Sequence, residues 1–441
     1  MNQPAPASPV LQAVKAHRRG EPVGLYSVCC SHPVVLRAAM RVAAAYGTPL
    51  LVEATSNQVD QFGGYTGMTP ASFRDYLYRL AHEQGFPLDR LVLGGDHLGP
   101  NAWQALDAAA AMRNAEVLVA AYVEAGFHKI HLDCSMRCAD DEPVLSDEIV
   151  AERSARLADV AERAAARAGL APPVYVIGTE VPVPGGEASL AQALAVTAPL
   201  AAARTLEVHR RAFAISGLRE AWRRVIAMVV QPGVDFDQSD IQHYDAAQAA
   251  ALSDFVAQQP GIVFEAHSTD YQRETALHEM VRDHFAILKV GPAATFALRE
   301  GFLALCQIES ELPGVAQPSR LMQVLDEVML AKPQHWRKHY LGSTDEQRLM
   351  RRYGLSDRCR YYWGEPEVAT AVSRLFANLA GRALPLALLS QHLPEQYLAV
   401  LQGELAAEPQ LLLEHKVGRV LAQYARACSR NAACPSEASI C

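Results

Sequence analysis

Asp96 and His97 close a short apolar run, LVLGGDH (91–97), just before Gly99-Pro100 breaks the chain. An acid beside an imidazole can move a proton or hold a divalent metal. Neighbouring side chains on a strand point to opposite faces, so only a strand end lets both reach one cavity. The pattern recurs along the chain. Asp133 and Ser135 follow KIHL, Glu180 follows VYVIGT, Gln231 follows AMVV, Glu265 and His267 lie in GIVFEAHS, and Lys289 lies in AILKV. Desolvating such groups costs stability, so their convergence at strand ends points to a site rather than to packing. The bland reading is that polar residues simply resume where strands stop, and it fits any one of them taken alone.

Asp96 and Asp133 are the candidate acid–base carboxylates. His97 with Glu180 and with Glu265 or His267 would make a divalent site, and imidazole with carboxylate donors suits zinc. Glycine-rich segments, GGYTG with Gly63 and Gly64 and GGE at 185–187, could let backbone approach a phosphate, although turn formation also explains them. Ser268, Thr269, Lys289 and Arg299 add donors and charge near the last two strands, where barrels of the kind described next commonly hold phosphate.

The elements that must position these residues are eight apolar runs: 24–29, 49–55, 91–97, 129–135, 174–180, 224–231, 261–268 and 286–292. Between them lie Ala-, Leu-, Glu- and Arg-rich stretches of helical spacing, around 33–46, 70–85, 101–125, 146–169, 190–221, 245–258 and 271–284. Near-continuous apolar strands are those of parallel sheets covered on both faces. The expected fold is therefore an α/β (β/α)8 barrel over residues 20–305, with 306–441 a helical C-terminal region carrying HWRKHY (335–340) and RYYW (360–363). An open doubly wound sheet is the competitor, but the glycine fingerprint after its first strand is missing.

The chain has 441 residues, 50% hydrophobic and 20% charged, with a formal net charge of −8, so no basic footprint for nucleic acid exists. No run reaches the roughly 20 apolar residues of a membrane span, and the first twenty lack a signal-peptide core. Nine irregularly spaced cysteines without a CxxC pair read as free thiols, giving the expectation of a cytoplasmic protein. Cys428, Cys434 and Cys441 are expected in a loose tail.

VEATSNQVDQFGGYTGMTP, GGDHLGPNAWQ, YVIGTEVPVPGGEAS, VVQPGVDFD, FEAHSTDYQ and DHFAILKVGPAATFALRE resemble the GatZ/KbaZ family over essentially the whole chain. These are Z-type subunits of bacterial tagatose-1,6-bisphosphate aldolase, similar in turn to the metal-dependent class II aldolases. The resemblance implies that Asp96 donates and accepts the proton and that His97 is a metal ligand. It matches Glu180, Gly185, Gly186 and Glu187 to a ligand glutamate followed by a Gly-Gly-Glu loop, and makes Glu187 the enolisation base. One ligand histidine is absent, because VIAMVVQPG has only apolar residues near Ala227. The place of the second falls to Glu265 or His267. The family implies a subunit that activates and stabilises a Y-type catalytic aldolase subunit in ketohexose-phosphate catabolism, and a homo-oligomer is expected. The alternative is a stand-alone 4-epimerase converting tagatose 6-phosphate to fructose 6-phosphate by retro-aldol cleavage and re-addition.

Overall fold

A computed structural model describes residues 8–179 and 194–429. Eight parallel strands close into a barrel: β1 (Leu25–Val28), β2 (Leu50–Thr55), β3 (Leu91–Leu98), β4 (Lys129–Leu132), β5 (Val174–Ile177), β6 (Val225–Val229), β7 (Val263–Ala266) and β8 (Phe285–Val290). Each pairs with its sequence neighbours, and β1 pairs with β8. This is the expected (β/α)8 barrel. Every strand is buried along its length save Thr55 at the end of β2, which explains the apolar runs.

The helices start where the sequence supplies caps. α1 (Pro9–Arg18) precedes the barrel and α2 (Pro33–Ala45) opens on Pro33, with the His32 ring accepting the Val34 amide. α3 (Pro70–Glu83), α4 (Ala108–Glu124) and α5 (Asp147–Ala168) are capped by Thr69, Asp107 and Ser146. α5 ends at Gly169 with φ of 67°. α6 (Pro199–Ile215), α7 (Ala246–Ala257), α8 (Glu274–Arg282) and α9 (Pro292–Glu311) complete the alternation. A short antiparallel pair, Asp235–Phe236 with Ile241–Gln242, follows β6.

The expected break between residues 305 and 306 falls inside α9. Six helices follow: α10 (Leu321–Ala331), α11 (Thr344–Tyr353), α12 (Pro366–Leu379), α13 (Leu386–His392), α14 (Pro394–Leu401) and α15 (Pro409–Cys428). α15 returns to the barrel wall, packing on α2, α8, α9 and β1. Cys428, expected in a loose tail, is instead the buried last residue of this helix.

Within the barrel, side chains alternate with period two. Leu25, Leu51, Val92, Val174, Val263 and Ile287 join one apolar cluster, plugged at the lower end by Val10 and Val14 of α1. Two residues further along, the same strands present Ser27, Glu53, Gly94, Glu265 and Lys289. β4 offers Lys129 and His131 at its inward positions.

Candidate active site

Asp96 and His97 share the barrel interior because the backbone reverses there. His97 has φ of 48°, a left-handed conformation unusual for a residue other than glycine, and the β3–β4 register shifts between Gly95 and Leu98. Such strain clusters at sites whose geometry is fixed by the surrounding structure. Gly99 completes the turn: a Cβ there would lie 1.7 Å from the Asp133 carbonyl oxygen. Asp133 and Ser135 follow β4 directly. The Asp133 carboxylate contacts His97 Nδ1 at 2.7 Å and accepts the Ser135 amide (3.0 Å) and hydroxyl (2.6 Å). Asp133 thus orients the His97 ring and leaves its Nε2 for other work.

Below this pair lies a charged network. The Lys129 ammonium sits 2.7 Å from Glu53 Oε1 and 2.6 Å from Glu265 Oε2, with all three side chains fully buried. Lys289 contacts Glu53, Asp96 (2.9 Å) and Glu265 (3.3 Å). Ser27 donates to Glu53 at 2.6 Å. The His131 Nδ1 lies 2.9 Å from Asp96 Oδ1, and the His267 Nε2 lies 3.1 Å from Glu265 Oε1. The rings of His97, His131 and His267 sit 4.8–5.2 Å apart, centre to centre.

Burial alone would raise the Asp96 carboxyl, but His97, Lys289 and the His131 bond outweigh it and hold it well below the usual range. Glu265 is likewise ionised, because Lys129 and Lys289 overcome its desolvation. Burial would lower His97, yet Asp96 and Asp133 raise it. Burial wins at His267, which falls to about 4. Lys289 stays charged against desolvation because Asp96, Glu265 and Glu53 face it.

Asp96, His131, Glu265 and His267 each offer a ligand atom, all within 4.8 Å of one another. Two observations bear on whether this set fits a cation. His131 Nε2 is buried without a hydrogen-bond partner, an orphan that a metal would satisfy. The four carboxylates Glu53, Asp96, Asp133 and Glu265 also exceed the two ammonium groups of Lys129 and Lys289. The donors are imidazole and carboxylate, as a divalent transition metal prefers. The residues fit.

The expected residues divide. Asp96, His97, Asp133, Glu265, His267 and Lys289 meet in one network, and Ser268 lines the cavity above it. Glu180 and Glu187 lie outside the described residues. Arg299 is not at the mouth: its guanidinium bonds Asp357 (2.6 Å) and the Gly354 carbonyl (3.2 Å). The Thr269 hydroxyl is committed to the Lys289 carbonyl at 2.5 Å. Gly63 and Gly64 make a turn over Asp60, whose carboxylate accepts the Gly64 amide, and a Cβ on Gly64 would meet the Gln58 carbonyl at 2.4 Å. Lys289 is held by three carboxylates rather than free for phosphate. Ala227, where a ligand histidine is missing, belongs to the apolar plug, and a third imidazole comes from His131 on β4 instead.

His131, Glu53 and Lys129 are the residues that sequence reasoning missed. Their signal was parity. Lys129, His131 and Asp133 alternate, and Glu53 stands two residues after Leu51.

No helix among the described residues is long and apolar enough to cross a membrane. One solved structure, described as a probable tagatose 6 phosphate kinase from Sinorhizobium meliloti 1021, is 47% identical, with a TM-score of 0.85 over 92% of this chain and 100% of that one. A fructose-bisphosphate aldolase from Campylobacter jejuni aligns at 10% identity and a TM-score of 0.43 over 83% of this chain and 91% of its own. The YdjI aldolase from Escherichia coli K12 aligns at 12% and 0.39, over 80% and 95%. A family model described as D-tagatose-1,6-bisphosphate aldolase subunit GatZ/KbaZ-like matches residues 10–429. The chain belongs to this GatZ/KbaZ-like family.

Proposed function

We propose that the chain is a cytoplasmic, metal-dependent ketohexose-phosphate 4-epimerase acting on its own, converting tagatose 6-phosphate to fructose 6-phosphate. The observation that carries this reading is the buried cluster of Asp96, His97, His131, Glu265 and His267, an acid–base and metal-binding set with no use in a purely supporting role. The substrate is taken from the family description and from the tagatose 6-phosphate named for the 47% identical structure.

His131, His267 and Glu265 of the close-set donors would hold the metal, with zinc proposed from the donor set and His97 and Glu180 as further ligands by family resemblance. When bound, it supplies Lewis-acid polarisation of the substrate carbonyl. Asp96, ionised in the structure, takes the proton from the C4 hydroxyl. The C4 aldehyde forms as the C3–C4 bond breaks, and the electron pair moves into an enediolate on C2 and C3. The aldehyde turns over, C3 re-adds to its other face, and Asp96 returns the proton to O4. Atoms and charge balance, and C4 is inverted. Asp133 keeps His97 aligned throughout. Ser268, lining the cavity, is a phosphate contact in this reading.

The second reading is a Z-type subunit that supports a Y-type aldolase, and it rests on the family description naming a subunit. Both are tested by purifying this chain alone and incubating it with tagatose 6-phosphate or tagatose 1,6-bisphosphate, with and without zinc. Turnover of tagatose 6-phosphate that disappears with the metal in His131→Ala is expected. A metal-free, inactive wild type that still stimulates a Y-type partner overturns the epimerase reading.

A further inference from the structure

The cavity above Asp96, His97 and His267 has a volume of about 80 Å³ and is roofed by Arg360 and Tyr361 of the C-terminal helical region. It adjoins an outer cleft of about 820 Å³ that shares Asn57, Tyr65 and Tyr361 and is lined by Arg358 and Lys338. The strap is firmly seated. Tyr361 stacks on His335 at 4.8 Å, and Tyr65 from the loop after β2 meets its edge at the same distance.

The cations of this mouth are unevenly matched. Lys289 is shared by three carboxylates. Arg358 and Arg360 have no carboxylate within 4.0 Å among the described residues. Arg358 is 4% exposed, and its Nε is buried without a hydrogen-bond partner. Arg360 gives one Nη to the Ser356 and Asp357 carbonyls and the other to the Tyr361 hydroxyl at 2.9 Å. That leaves two of the roughly five N–H groups of a guanidinium. Burial would raise the Tyr361 phenol, but the two guanidiniums outweigh it and lower it, a sign of the positive charge they bring to this junction. Buried charge of this kind is costly unless an anion joins it.

The anion position that such barrels usually offer is already filled. Asp270 accepts the Gly291 amide (3.0 Å) and the Ala293 amide (2.8 Å) at the start of α9, so a protein carboxylate sits where a phosphate would.

We infer that Arg360 and Arg358, on either side of Tyr361, bind the phosphate of the substrate, so that the helical region supplies the charge that selects a phosphorylated sugar and the barrel's Ser268 only a neutral donor. The inference deepens the reading above: the reacting carbons lie in the inner cavity and the phosphate at the junction with the outer cleft. A guanidinium fork suits a phosphate in a way an ammonium does not.

The test measures binding of fructose 6-phosphate and of inorganic phosphate by calorimetry, and turnover of tagatose 6-phosphate, in wild type, Arg360→Ala and Arg360→Lys. In the alanine variant the fructose 6-phosphate Kd and the KM should rise about 10- to 100-fold, more than kcat falls, with the lysine variant between. Metal content should not change. If wild type binds fructose 6-phosphate but turns over no tagatose 6-phosphate, loss of binding in Arg360→Ala still supports the inference while the epimerase reading fails. If turnover is present and both constants are unchanged in both variants, the inference fails and that reading survives. A wild type that binds neither probe also overturns it. Tight inorganic phosphate binding lost in the variant, without any for the sugar phosphate, would move the site from substrate to free phosphate and overturn the substrate role. Should the alanine variant not fold, Arg360→Lys carries the test, and an unchanged constant there overturns the inference.

Discussion

β4 and β5 are neighbours in register, Lys129 beside Val174 and His131 beside Val176, yet they build contrasting sectors of one barrel interior. The β4 wall is polar at every inward position. Across β5 and β6 the matching positions, Val174, Val176, Ala227 and Val229, belong to the apolar plug. The barrel thus divides its interior by sector as well as by height. Polar side chains gather where partners from β2, β7 and β8 converge, and the apolar wall keeps water from competing with them.

Gly94 shows how closely the charged sector is drawn. Glu53, Gly94 and Lys129 follow one another across β2, β3 and β4. The Glu53 carboxylate reaches Lys129 over Gly94, and a Cβ there would lie 2.7 Å from Glu53 Oε1.

The largest expected effect comes from Lys129→Met. It leaves Glu53 and Glu265 facing each other with less compensation, a loss of about 3–5 kcal/mol in chemical unfolding. Adding Glu53→Gln should restore part of it. If the single variant is as stable as wild type, the charged wall is not a paired network. Next is a buried titratable group outside that network. His209 on α6 bonds only the Thr205 carbonyl, and burial lowers it to about 4. Its neutral form stabilises the fold fully above about pH 6.5, and this contribution is lost as pH falls from there through about 4, by roughly 3 kcal/mol. His209→Gln should flatten that part of a stability–pH curve, and an unchanged curve would show that the ring contributes no such pH dependence. Gly94→Ala follows, at about 1–3 kcal/mol, since the methyl displaces Glu53. It should also weaken metal retention, read by elemental analysis. The smallest is Val176→Ala on the apolar wall, about 1.5 kcal/mol by thermal melting with metal content unchanged. A larger loss of metal from Val176→Ala than from Gly94→Ala would reverse the assignment of the two walls.

The strands and most helices were legible because both faces of a parallel sheet are buried, and apolar runs such as 49–55 and 286–292 record that directly. Two exceptions are 101–125, where the helix begins only at Ala108 after a turn of 3-10 geometry at Pro100–Trp103, and 190–221, whose helix begins only at Pro199. Site residues near strand ends, such as Asp96 inside β3 and His267 just past β7, stood out for the same reason. Glu53, Lys129 and His131 did not, because a charge inside an apolar run reads as an interruption until strand parity is followed. The mouth contributed by Arg358, Arg360 and Tyr361 left only the aromatic RYYW as a trace, since its position depends on a helix region folding back over the β2 loop. Ser268 and Lys289 were placed near the mouth correctly, but which cation is free there depends on pairings that spacing does not encode.

The return of α15 to the barrel wall bears on how the chain is made. The amide of Gly24, at the entry to β1, donates to the carbonyl of Cys428 at the end of α15. Translation delivers these two groups 404 residues apart. At about 5–20 residues per second, the first strand waits roughly 20–80 s for the helix that covers it. Through that interval β1 and α2 present apolar surface to whatever else is in solution. A ribosome that stops short of Pro409 therefore releases a closed barrel with part of its outer wall uncovered, and nascent-chain holding factors gain a long window in which to bind it.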